Sequence, residues 1–284
     1  MSIELTATVF ARGLCFGEGP RWHAGHLYVS DMHAHHVLRF DSDGNPTPVI
    51  EVPACPSGLG WMPDGSLLVV SMEDRSLLRM MNGATSVHAD LSSLAKGRCN
   101  DMVVDAFGRA WVGNFGFDLH AGEKPRPTDL IRVDPDGSAR IVASDLVFPN
   151  GTVITPDGRT LIVGESFANR LTAFDMTPEG GLDNRRVWAE LANGAVPDGI
   201  CLDVAGGIWI ASPTTNECIR VEEGGKVTHR IATDRGAYAC MLGGSGGNSL
   251  FVLTSRHSHP DKCRSERSAE VLIAAAPHAG AGWP

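Results

Sequence analysis

Short apolar runs recur along the whole chain, each broken by glycine, proline, aspartate or histidine. The first unit reads HLYVS, HVLRF and TPVIEV, and the fourth reads TLIVGE, RLTAFDM and RRVWAEL in the same order. Runs of this length, rich in β-branched and aromatic residues and bounded by turn formers, predict strands. Helical spacing is almost absent, and SSLAKGR (92–98) is the one short candidate. A parallel α/β fold needs helices of roughly ten or more residues between its strands, and the spacing leaves no room for them.

A longer period underlies the strands. A glycine turn followed by a short apolar strand appears at 23–30, 62–70, 105–113, 155–164, 203–211 and 244–253. The turn glycines are Gly25, Gly65, Gly108, Gly158, Gly206 and Gly247, so successive spacings are 40, 43, 50, 48 and 41 residues. Self-similarity at this period is the mark of a propeller blade of four strands. The expectation is an all-β chain, residues 1–284 forming a single six-bladed β-propeller domain with four-stranded antiparallel blades. A β-sandwich also has many short strands, but not six copies of one turn.

Aligning the six units on their turn glycines brings one upstream slot into register. Seven or eight residues before the glycine it holds Glu18, Ser57, Asn100, Asn150, Asp198 and, in the sixth unit, Ala239 or Cys240. The first strand of each blade lines the central channel, so equivalent slots converge on the axis. Pro-Asn-Gly or Pro-Asp-Gly alone is an ordinary turn. Two carboxylates and two carboxamides in one phase of six are not explained by turn preference, and glutamate is no turn former. Such an all-oxygen set suits a hard divalent cation. Calcium is the first expectation, with magnesium, manganese, iron and zinc as alternatives.

Composition narrows the partners. Hydrophobic content of 43% with 20% charged residues is ordinary for a soluble domain. The net charge of −9 argues against nucleic acid or an anionic membrane. No apolar run approaches the roughly 20 residues of a membrane span, and the N-terminus has no secretory pattern. Seven cysteines without a CxxC pair suit a reducing cytoplasm. Cys99, Cys201 and Cys240 lie near the channel slots and are read as small buried packers.

FGEGPRW (16–22), the stretch Arg98-Cys99-Asn100-Asp101, FPNGTVITPDG (148–158), GESFANRL (164–171) and PDGICLDVAGGIWIA (197–211) together resemble the regucalcin (senescence marker protein)/gluconolactonase family of lactone hydrolases. The resemblance implies a six-bladed propeller with one divalent metal, held by Glu18, Asn150 and Asp198. It puts Asn100 on the substrate or a metal-bound water, and Arg98 on the substrate. Where animal members carry a Gly-Thr-Met run with a substrate-binding glutamate nearby, this chain has GNFGFDLHAGEKPRPTD (113–129).

The chemistry expected is opening of a small lactone, a sugar-acid lactone or similar, by a water that the metal activates. Asp198 is the candidate general base as well as a ligand, and Arg98 and Asn100 would orient the ring or steady the oxyanion. No GxSxG elbow is present, which disfavours a serine acyl-enzyme. Hydrolysis of another activated ester or phosphotriester, or a non-catalytic metal-binding propeller, are the competing readings. Substrate choice is expected from loops 31–36, 72–75, 113–129, 164–169, 212–217 and 255–266, with Asn114 or Phe117 touching ligand. His33, His35 and His36 are read as a solvated hairpin tip, and Trp22, Trp61, Trp111 and Trp209 as inter-blade core.

Overall fold

The computed structural model describes residues 2–119 and 121–281, so residues 1, 120 and 282–284 of the expected 1–284 span lie outside the described residues. Six antiparallel sheets form the predicted blades. Blade I is Gly17–His23, His26–Asp31, His36–Phe40 and Pro46–Glu51, and the next three blades follow the same order along the chain. The inner strands are Gly17–His23, Pro56–Trp61, Cys99–Val104, Pro149–Ile154, Ile200–Leu202 and Gly236–Gly243. Each packs against the inner strand of the blade on either side, the sixth against the first, which closes the ring.

The ends of the chain complete the last two blades. Thr8–Leu14 forms the outermost strand of blade VI, paired antiparallel with Ala269–Ala275. Ile3–Glu4 adds a fifth strand to blade V, parallel to Val227–Ala232.

The core is a set of layers between neighbouring blades. Between blades III and IV, Val103, Trp111 and Leu130 meet Ile154, Leu161 and Phe174. Trp111 and Trp209 are fully buried. Trp22 stacks on Phe251 of blade VI at 5.7 Å, and Trp61 stacks on His23 of blade I at 4.0 Å. All four tryptophans therefore join blades, as their recurrence at strand positions predicts.

The repeated turn has one geometry. The six turn glycines have φ between 68° and 83°, the left-handed region that only glycine adopts without strain. In blades II to VI the glycine N–H donates to the carbonyl three residues back.

Two expectations about local structure change. Residues 92–98 are turn, not helix, while the rim segment holds the one α-helix among the described residues, Pro260–Glu266. Proline in its first turn and the His259 ring accepting from the Asp261 N–H start it. The DMHAHH segment is also not a solvated tip. His33 is buried, its Nε2 3.1 Å from the Ser258 carbonyl, because the 255–266 segment folds over it.

Candidate active site

In the inner strands of blades I to IV the slot residue sits in a β-bulge, and in blade V Asp198 lies just ahead of the inner strand Ile200–Leu202. Residues 18 to 21 of blade I face only 30 to 28 of the next strand, and 56 to 59, 99 to 102 and 149 to 152 repeat the same mismatch. One extra residue in the inner strand re-aims its side chain out of the pleat, here toward the axis. Blade VI has the same extra residue between Ala237 and Ala239. Its slot residue is therefore Tyr238, not Ala239 or Cys240, which are buried in the core layers between blades VI and I and between blades V and VI respectively.

The strands approach closely just behind the slot. A Cβ on Gly151 would lie 2.4 Å from the Ile200 N and 2.6 Å from the Asp198 carbonyl. That contact brings the Asn150 side chain within hydrogen-bonding reach of Asp198, to which its Nδ2 donates. We expect Gly151→Ala to cost about 1–3 kcal/mol through overpacking, read as a lowered denaturation midpoint. An unchanged midpoint would show that the blades can part without penalty.

Glu18, Asn100, Asn150 and Asp198 thus share the floor of one cavity of about 340 Å³. Asn100 Nδ2 lies 3.5 Å from the Pro149 carbonyl, and Asn150 Nδ2 also reaches Ser166 Oγ at 3.2 Å. Arg98 lines the wall above, paired with Glu73 at 3.4 Å. All six predicted loops reach the cavity, through residues such as Met32, Met72, Phe115, Phe167, Pro213 and Pro260.

Asn114 does not reach it. It ends the strand Ala110–Asn114, fully buried, donating from Nδ2 to the Asp129 carbonyl at 2.8 Å and accepting from Thr128 Oγ1 at 2.6 Å. Strand alternation turns it into the blade, so its expected contact with substrate is withdrawn. Phe117 packs behind Phe148 and Phe167, and the residues of this loop that face the cavity are Phe115 and Leu119.

The electrostatics of the floor are unfavourable to bare carboxylates. Burial, then the negative charges of Asp198 and Asp101, push the Glu18 carboxyl well above its ordinary range. Burial also pushes Asp198 up to about 8, with Asp101 adding to it and the Asn150 hydrogen bond opposing it. The nearest cation, Arg21, is committed to Asp101 at 3.0 Å and to the carbonyls of Pro20 and Met102. Tyr238 is pushed up to about 12, first by burial and then by Asp198, which keeps its phenol protonated.

Such a floor fits a divalent cation. Two desolvated carboxylates lack a free counter-charge, and carboxamides stand beside them. Among the described residues no three His, Cys, Asp or Glu side chains group as a metal site by themselves, so an ion would rest on carboxylate and carboxamide together.

Comparison with known proteins agrees with this architecture. Residues 16–256 match the family described as SMP-30/Gluconolactonase/LRE-like region. A 6-deoxy-6-sulfogluconolactonase of Pseudomonas putida is 26% identical over 279 residues, covering 94% of this chain and 87% of its own. A calcium-binding regucalcin of Agrobacterium tumefaciens superposes with a TM-score of 0.80 at 21% identity, covering 99% of this chain and 97% of its own. A gluconolactonase of Xanthomonas campestris superposes with a TM-score of 0.73 at 25% identity, covering 92% and 86%.

Proposed function

The chain belongs to the SMP-30/gluconolactonase/LRE-like family, and from that premise we propose that it hydrolyses a small lactone at the floor of its central channel, with Glu18, Asn150 and Asp198 holding one divalent cation. The observation that carries the reading is the meeting of Glu18, Asn100, Asn150 and Asp198 on one cavity floor, although the chain separates them by up to 180 residues. The lactonase names of the Pseudomonas and Xanthomonas proteins support the same reaction class. The name of the Agrobacterium protein puts calcium first among candidate ions.

A lactone is a cyclic ester, so its opening needs a nucleophile at the carbonyl carbon and stabilisation of charge on the carbonyl oxygen. A bound divalent cation would supply Lewis acidity there and would hold Glu18 and Asp198 in their ionised forms. Asp198 as carboxylate takes a proton from the attacking water as the new carbon–oxygen bond forms. Asn100 offers a carboxamide N–H toward the developing oxyanion. When the ring carbon–oxygen bond breaks, the proton held by Asp198 passes to the leaving alkoxide. The product is one hydroxy acid, and Asp198 is restored. Arg98, above the floor, is placed to orient the ring or to meet the carboxylate of the product.

The test is proton release from a panel of lactones with the protein loaded with calcium, manganese or zinc in turn. We expect a chelator to lower the rate more than a hundredfold, in line with the several kcal/mol a metal contributes, and the ion to restore it. Cation affinity should also weaken as pH is lowered. Because the Glu18 and Asp198 pKa values lie above their ordinary range, binding must expel protons, so affinity rises as pH climbs toward about 8. Calorimetric titrations at several pH values showing a flat affinity would contradict this set of ligands.

The seven unpaired cysteines, all buried, favour a reducing compartment such as the cytoplasm. No helix among the described residues is long and apolar enough to cross a membrane.

A further inference from the structure

The cavity is polar at its floor and apolar on its walls. One wall, contributed by blades III and IV, is made of Phe115, Leu119, Phe148 and Phe167. Phe115 and Phe148 stack at 4.4 Å, and Phe148 meets Phe167 at 5.2 Å. Phe167 is 45% exposed and Leu119 37% exposed, so the wall runs out to the rim as an open apolar surface. Met32, Met72 and Pro213 continue this character around the mouth.

Several of the hydrogen-bonding groups on the walls already have partners within the protein, and none of them lies on the phenylalanine wall. Arg98 pairs with Glu73 at 3.4 Å, and Arg264 with Asp261 at 2.6 Å. Ser166 Oγ donates to the Pro197 carbonyl at 2.7 Å, and Thr214 Oγ1 to the Gly194 carbonyl at 2.8 Å. A ring carrying several hydroxyls would bring them against phenylalanine and leucine, where they lose water and gain no partner. A hydrocarbon substituent in the same place removes apolar surface from water on both sides.

We infer that the substrate is a lactone bearing an apolar substituent, lodged against the Phe115–Leu119–Phe148–Phe167 wall while the ester group sits on the polar floor. The inference rests on the lactonase reading above and names the substrate class of that same site. Selectivity follows from the wall. Each methylene in an apolar pocket raises discrimination by roughly tenfold or somewhat more, whereas hydroxyls turned toward the Phe115–Leu119–Phe148–Phe167 wall meet no donor or acceptor there.

The test uses the full chain, loaded in turn with calcium, manganese and zinc, and three lactones sharing a six-membered ring. They are D-glucono-δ-lactone, unsubstituted δ-valerolactone, and δ-decalactone with its pentyl chain. We expect kcat/KM for δ-decalactone to exceed both others by at least about tenfold. Phe167→Ser is expected to lower the ratio of δ-decalactone to δ-valerolactone about tenfold, and Leu119→Ser, on the same wall from another blade, to shift it in the same direction. A gluconolactone rate equal to or above that of δ-decalactone would overturn the inference and leave the lactonase reading standing. So would a ratio that keeps its wild-type value in both variants. Hydrolysis of none of the three with any of the ions would overturn the lactonase reading, and the substrate class with it.

Discussion

Replacing Asp198 with asparagine is expected to lower lactone turnover on the order of a thousandfold or more, the range associated with loss of a positioned general base. The substitution nearly preserves volume, so the blades should keep their contacts and the protein its denaturation midpoint. It removes the one floor carboxylate that retains part of its surface open to the cavity. It also removes a negative charge from beside Glu18, whose pKa should then fall, although burial, the larger cause, still holds it above its ordinary range. Cation affinity, followed by calorimetry, should weaken as well, since one of two carboxylate ligands is gone. Near wild-type rates in this variant would sink the mechanism, whatever happened to metal content.

The second large effect is expected beneath the floor. Arg21 and Asp101 form an almost fully buried ion pair at 3.0 Å, and the same guanidinium also donates to the carbonyls of Pro20 and Met102. Arg21→Leu strands the Asp101 carboxylate close to Glu18 and Asp198, with the Met102 N–H at 2.8 Å as its remaining strong donor. Removing one partner of a buried pair costs about 3–5 kcal/mol, which for a domain of this size lowers Tm by roughly 10 °C. Arg21→Leu combined with Asp101→Leu should recover part of that loss, because the orphaned charge goes with its partner. If the double variant is no more stable than the single one, the pair is held by packing and not by charge.

The fold was legible because its signal is repeated. One glycine turn is weak evidence, but six at a common period set the phase of every inner strand. That phase carried Glu18, Asn100, Asn150 and Asp198 to a common floor. The bulge that aims Glu18, Asn100 and Asn150 is invisible in the residues, yet it recurs in blades I to IV and so cancels out of the alignment. It stopped cancelling in blade VI, whose inner strand Gly236–Gly243 is longer, and there the count back from Gly247 stopped short of Tyr238.

The remaining differences come from contacts far apart in the chain. Nothing near His33 foretells that residue 258 will cover it, 225 positions later. Asn114 and Phe115 are neighbours in sequence, and strand alternation alone sends one into the blade and the other to the cavity. The helix Pro260–Glu266 is too short to show a period, and only its proline and the aspartate beside it mark its start. Arg21 and Asp101 bear no motif of their own. Their importance lies in meeting across 80 residues.

The strand Thr8–Leu14 is made long before its partner Ala269–Ala275, and that gap sets the order of events in synthesis. At about 5–20 residues per second, roughly a quarter of a minute or more of translation passes between the two strands. During that time blades I to V can stack in sequence, but the circle is open, and the edges of blade I and of the newest blade wait unpaired. Asp198 likewise cannot face Glu18 across a finished channel until the sixth blade closes. The cavity floor is therefore complete only once the sixth blade is in place, and chaperone protection of the waiting edge should matter most until that closure.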